Sequence, residues 1–221
     1  MEKNCYSRIQ MSNDRYIVAE DENYEPGSNH EVLKNFLKIK DLQTIEILEE
    51  EELKRTGIEL TELYDKTHRF SSQDICDIHA LWLAGIYPIA GQYRTSNMSK
   101  GGYQFAAAHF INKLMEDLEK NYLNKYTPCN YTDDDSLAEA LAIIHVEFII
   151  IHPFREGNGR VARLIANLMA LQADKQFLNY APIDRTIHPK GFERYISAIH
   201  QGHCGNYEMM RDIFKELLSA S

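Results

Sequence analysis

The stretch Ile151-His152-Pro153-Phe154-Arg155-Glu156-Gly157-Asn158-Gly159-Arg160-Val161-Ala162-Arg163 decides the fold, because it interrupts two apolar segments with groups that a core does not need. Upstream, Leu137, Leu141, Ile144, Phe148 and Ile151 recur at intervals of four and three. Ile143, Ile149 and Ile150 widen that stripe to nearly the whole circumference, which is the pattern of a buried central helix. Downstream, Val161, Leu164, Ile165, Leu168 and Met169 predict a second central helix. Between them, Gly157-Asn158-Gly159 cannot comfortably continue the first helix. Glycine tolerates the positive φ angles that aim successive backbone N–H groups at one point.

The chemistry of the interruption is specific. A helix that begins near Arg160 presents uncapped N–H groups and a partial positive charge, and so attracts anions. Arg160 and Arg163 fall in its first turn, where acidic residues are normally preferred, and their spacing puts them on one face. Two cations at the positive end of a helix make sense if a polyphosphate neutralises them. Glu156 is a hard oxygen ligand of the kind Mg²⁺ uses when phosphates supply other ligands. His152 is the one group here that can serve as a neutral base near pH 7. Taken singly, a histidine before a proline is more often structural, Gly-x-Gly is weak, and paired helix arginines are usually a solvated face. Their conjunction describes a Mg-nucleotide site with a base beside the phosphates.

The run His152-Pro153-Phe154-Arg155-Glu156-Gly157-Asn158-Gly159-Arg160-Val161-Ala162-Arg163 resembles the full signature of the Fic family, His-Pro-Phe-x-Asp/Glu-Gly-Asn-Gly-Arg-x-x-Arg. The likeness extends from about Val32 to about Phe214. It implies an all-α, Fic-type helical domain around the helix–anion loop–helix unit, with a short β-hairpin flap. It also implies a protein adenylyltransferase that moves AMP from ATP to a Ser, Thr or Tyr hydroxyl of a target protein with Mg²⁺. In that reading His152 is the base and Glu156 holds the metal. Gly157, Asn158 and Gly159 cradle phosphates, and Arg160 and Arg163 steady the leaving pyrophosphate. Related enzymes act as kinases or phosphocholine transferases, and a non-catalytic interaction domain of the same fold is the reading from a different class.

Gly91 to Gly102 is polar, β-compatible and bounded by glycines, which predicts a hairpin or an ordinary surface loop. The resemblance makes it the target-binding flap, through Ser96, Asn97, Met98, Ser99 and Lys100. A target segment would dock there by strand addition, in which main-chain hydrogen bonds set register without demanding a sequence. Lys100 and Gly101 are also candidates for nucleotide contact. Many relatives carry an inhibitory Ser/Thr-x-x-x-Glu-Gly/Asn helix directed at the second arginine. Ser197-Ala198-Ile199-His200-Gln201-Gly202 has the spacing with Gln in place of Glu, so inhibition is expected from a separate antitoxin-like partner or not at all.

With 221 residues, 44% hydrophobic and 26% charged, the chain suits one domain. Residues 1–29 read as an arm and 30–221 as the domain. A net charge of −9 argues against non-specific nucleic-acid binding. No apolar run reaches the roughly 18 residues of a spanning helix. Four scattered cysteines read as reduced thiols and the N-terminus shows no secretory signal, so a cytoplasmic location is expected, with signal-less secretion left open. Helices are expected from His30 to Ile39, from Leu42 to Arg69, after a capping box at Ser71-Ser72-Gln73-Asp74, and from Gln104 to Lys120. The run Glu49-Glu50-Glu51-Glu52 reads as a solvated face, and His79, Trp82 and His145 as core. A loop plugged by its own side chains, or an imidazole buried and turned away, would remove the case for a nucleotide site.

Overall fold

The structure is a computed structural model that describes residues 17–18 and 24–220. Its helices are α1 (Leu42–Leu63), α2 (Ser72–Leu83), α3 (Ile111–Leu118), α4 (Asp134–Ile151), α5 (Asn158–Gln172), α6 (Pro189–His203) and α7 (Glu208–Ser219). The strands are β1 (Ile17–Val18), β2 (Met98–Lys100) and β3 (Tyr103–Gln104). The all-α expectation holds, with one small antiparallel sheet in the order β1-β2-β3.

Helix α4 is the axis. Asp133 caps its first turn by accepting from Ser136 N at 2.8 Å, and Asp134 and Asp135 sit where the helix dipole favours acids. Leu137, Leu141, Ile144 and Phe148 are all buried, together with Ala138, Ala140 and Val146, so every side of the helix meets protein. Helices α5 and α7 pack along it, as do α3 and α6. Pro153 stops α4, and α5 restarts the chain after the six residues from His152 to Gly157. Helix α2 begins with the expected capping box: Ser71 Oγ accepts from Asp74 N, and the Asp74 side chain accepts from Ser71 N at 2.7 Å.

Several expectations are corrected. Residues 30–39 form turns and a bridge between Tyr24 and Leu33, because their polar groups are met locally. Asn35 Nδ2 donates to Leu33 O and Ile39 O, and its Oδ1 accepts from Ile39 N, which closes the turn at Phe36 and Leu37. Helix α1 ends at Leu63 and α3 begins only at Ile111, since β3 and a 3₁₀ turn take the residues before it. The hairpin gains a third strand from the N-terminal arm, most of which lies outside the described residues. Cys76 and Cys129 are buried free thiols, but Cys204 is disulfide-bonded, which corrects the reading of four reduced thiols. The absence of a CxxC motif constrains only local pairs. Among the described residues no helix is long and apolar enough to cross a membrane, and no cluster of ligating side chains joins His200, His203 and Cys204.

Candidate active site

The site is the turn between α4 and α5. His152 caps α4 in the left-handed region, with φ 52° and ψ 58°. Helices often end on a residue of this conformation, but it is normally glycine. A histidine there is uncommon, and such outliers gather at functional positions. Its backbone is clamped by Arg94, a buried side chain to which the sequence reading gave no role. Arg94 Nε donates to His152 O at 2.7 Å, Nη1 to Ser96 O at 2.7 Å, and Nη2 to Ala106 O at 2.6 Å and Ile151 O at 3.3 Å. One guanidinium thus ties the end of α4 to both ends of the flap. Burial holds its pKa down at about 10, so it stays charged at neutral pH.

The His152 ring contacts Ile149 O through Nδ1 at 3.2 Å. A carbonyl only accepts, so Nδ1 carries the proton and Nε2 is the basic nitrogen. Phe105, just after β3, stacks on the ring at 3.7 Å between centroids and 12° between planes. The residue is 4% exposed. Burial lowers its pKa to about 3, with the charges of Arg94 and Lys100 acting in the same sense against the Ile149 contact. The imidazole is therefore neutral and covered, and its cover is a flap residue.

The loop is braced from within. Asn158 is fully buried; its Oδ1 accepts from Phe154 N and its Nδ2 donates to Phe154 O, each at 2.8 Å. Its side chain is spent on shaping the turn, so only its backbone N–H remains to face a phosphate. Phe154 is buried and stacks on His79 at 3.9 Å. His79 Nδ1 accepts from Gly91 N at 2.7 Å, and its Nε2 meets Glu156 O at 3.1 Å. A core histidine is thus the prop beneath the metal-ligand candidate, and burial drops its pKa to about 4.

Gly157 has φ 83°, and a Cβ added there would lie 2.5 Å from Trp82 Cζ3. Only glycine fits both the torsion and the contact. It is the N-cap of α5 but offers no side-chain cap, and no acid occupies the first turn. A Cβ at Gly159 would meet nothing within 4 Å. The helix start is therefore open and positive, as an anion requires.

Arg160 lies over Trp82 at 4.5 Å. Its Nη1 pairs with Glu49 Oε2 at 2.6 Å and its Nη2 with Glu156 Oε1 at 3.4 Å. Burial opposes its charge, but the two carboxylates outweigh burial and raise its pKa. Glu49 corrects the solvated-face reading: it is 4% exposed, and it also accepts from Tyr87 OH. It falls in the buried stripe Ile45, Glu49, Thr56 and Leu60 of α1, and that helical spacing was the signal available in the sequence. Arg163 rests over the Tyr180 ring at 5.1 Å and makes no ion pair among the described residues. Glu156 Oε1 also accepts from Gly157 N at 2.8 Å. Beside Glu156 and Arg160 a cleft of about 420 Å³ opens against α1 and Tyr87.

The flap is a hairpin whose turn is Gly101-Gly102, with φ of 56° and 79°, the two-residue turn that matches strand twist. Met98 is buried, and Lys100, at the end of the strand, is exposed. Loss of water lowers the Lys100 pKa, Glu156 opposes the shift, and Arg185 and Arg160 add to it. Ser96 and Asn97 lie below the strands: Asn97 Oδ1 accepts from Ala108 N at 2.9 Å, so these two anchor the flap base.

The Fic/DOC family profile matches residues 69–170, which runs from the start of α2 through most of α5. Over that stretch the chain is similar to the Fic/DOC family. The chain is 28% identical over 93% of its length to a probable protein adenylyltransferase Fic of Salmonella typhimurium, 96% of which is covered. It is 26% identical to the protein adenylyltransferase fic-1 of Caenorhabditis briggsae over 63% of its own length. It spans about a quarter of that relative and of the Caenorhabditis elegans protein. The fold matches the Bartonella tribocorum BepC protein with bound AMPPNP, at a TM-score of 0.68 and 22% identity, over 84% of this chain and 91% of that one.

Proposed function

We propose that this protein is a protein adenylyltransferase, which transfers AMP from ATP to a hydroxyl of a target protein. The observation that carries this reading is the abutment of a neutral imidazole, in a left-handed helix cap, against an uncapped helix start bearing two arginines. The names of the relatives, and the nucleotide in BepC, point the same way.

The chemistry follows from the residues. His152 Nε2 takes the proton of the target hydroxyl as its oxygen attacks the α-phosphorus. The new P–O bond forms as the bond to the departing pyrophosphate breaks. The N–H groups at the start of α5 face the phosphates, and Arg160 and Arg163 hold the pyrophosphate charge. The Glu156 carboxylate is the group this chain would offer to Mg²⁺, and a single carboxylate suits a metal whose other ligands are phosphates and water. When bound, that ion would neutralise phosphate charge. Arg160 can serve only after Glu49 yields it. Incubation with α-labelled ATP, Mg²⁺ and bacterial or host lysate should label protein, and His152→Ala should lower the rate by ~10²–10⁴. Equal labelling by wild type and His152→Ala would remove the mechanism.

A non-catalytic reading draws on the same coordinates, because His152 is covered and Arg160 is already paired. Calorimetric titration with Mg-ATP separates the two: no binding would leave an interaction domain. Regulation by a small antitoxin-like protein remains part of the proposal. Its support is the Gln201 that stands where an inhibitory glutamate is found in relatives. Toxicity on expression, relieved by Arg163→Ala, is the expected result, and an inert wild type would count against it.

A further inference from the structure

The edge of the flap that a target segment would join is already taken. Strand β1 pairs antiparallel with β2, with Ile17 opposite Ser99 and Val18 opposite Met98. Phe105 N donates to Met98 O at 3.1 Å, so the backbone groups of Met98 face β3. Alternation along a strand then turns the N–H and C=O of Ser99 to the other side, where Ile17 meets them. Residues directly opposite in an antiparallel pair share a face of the sheet. Position 18 therefore lies in one cross-strand row with Met98 and Phe105, and Phe105 is the residue stacked on His152. The self strand carries an isoleucine at position 17 and a valine at position 18. Neither residue type has a hydroxyl to accept an AMP group.

We propose that residues 17–18 are an internal occupant of the docking edge, a stand-in strand without an acceptor that an extended target segment must displace. Only the displacement step rests on the AMP-transfer reading; the occupancy does not. Strand addition has one place on β2, because β3 holds the other side. A self strand and a target strand therefore compete for the Ser99 backbone.

The test is hydrogen exchange on the full chain, read by mass spectrometry at Met98 to Gln104, in wild type and Ile17→Pro. Proline removes the N–H that meets Ser99 and is not tolerated within a paired strand. Exchange at Ser99 should rise about fivefold, the factor equivalent to one net backbone hydrogen bond. A chain lacking residues 1–18 repeats the test without introducing proline. The initial rate of α-labelled AMP transfer into lysate protein should rise by a similar factor. An unchanged exchange rate overturns the occupancy, whatever the transfer assay shows. Faster exchange with equal transfer rates overturns the competition. Faster exchange in a chain that neither binds Mg-ATP nor labels protein leaves the occupancy standing and overturns the AMP-transfer reading instead.

Discussion

The anion loop and the flap face each other across His152, yet they are held in different ways. The loop is locked by buried groups: Asn158 bonds both backbone groups of Phe154, His79 props Glu156, and Trp82 packs against Gly157. The flap has two glycines at its tip, a few ladder bonds and Arg94 at its root. Phosphate positions must be fixed to a fraction of an ångström, so that half is built into the core. In the proposed reaction a target segment would enter and leave, which a short ribbon at the margin allows.

Acid should break the comparison most severely. His79, His145 and His152 are held at about 4, 3 and 3 by burial, below the 6.5 of a free imidazole. The unfolded chain therefore binds protons first as pH falls. The stability these groups contribute is complete above about pH 6.5 and is lost on the way down toward 4. Urea unfolding at pH 7 and pH 5 should show a loss of roughly 2 kcal/mol for each imidazole. Two of the three lie in or under the loop, so its amides should lose exchange protection together. A flat stability between these values would mean that the rings are hydrated.

Two alanine substitutions sharpen the same contrast. Gly157→Ala adds a clash with Trp82 to an unfavourable torsion, for about 2–5 kcal/mol. Gly102→Ala has a similar φ of 79° but meets nothing within 4 Å, so about 1–2 kcal/mol is expected. Thermal melts of the pair measure the difference, and equal shifts would show that the Trp82 contact relaxes freely. The smallest effect concerns ligand. Glu49→Gln should leave Arg160 available to phosphate and tighten Mg-ATP binding by about 1 kcal/mol in calorimetry. Weaker binding would show that Glu49 positions the arginine for ATP.

The central unit was legible because its signals are local. Apolar spacing gave α4 and α5, Pro153 gave the break, and the glycines gave the turn. What was lost depends on distant partners. Glu49 sits in a run of acids that looks solvated, and only Arg160 and Tyr87, far along the chain, explain its burial. Arg94 has meaning only once both ends of the flap meet α4. The two residues of β1 carry no periodicity by themselves, and their pairing is written in the edge of β2. Asn158 was assigned to the ligand because the motif places it there, whereas the turn uses its amide.

Trp82 is the chain's single tryptophan. Its indole lies beneath Arg160 and against Gly157, and its Nε1 donates to Glu49 O at 2.9 Å. The molecule thus carries one indole, which can be excited apart from its tyrosines, placed where a nucleotide's arrival would rearrange charge. Its emission reports on that place alone, so occupancy can be followed in unlabelled protein.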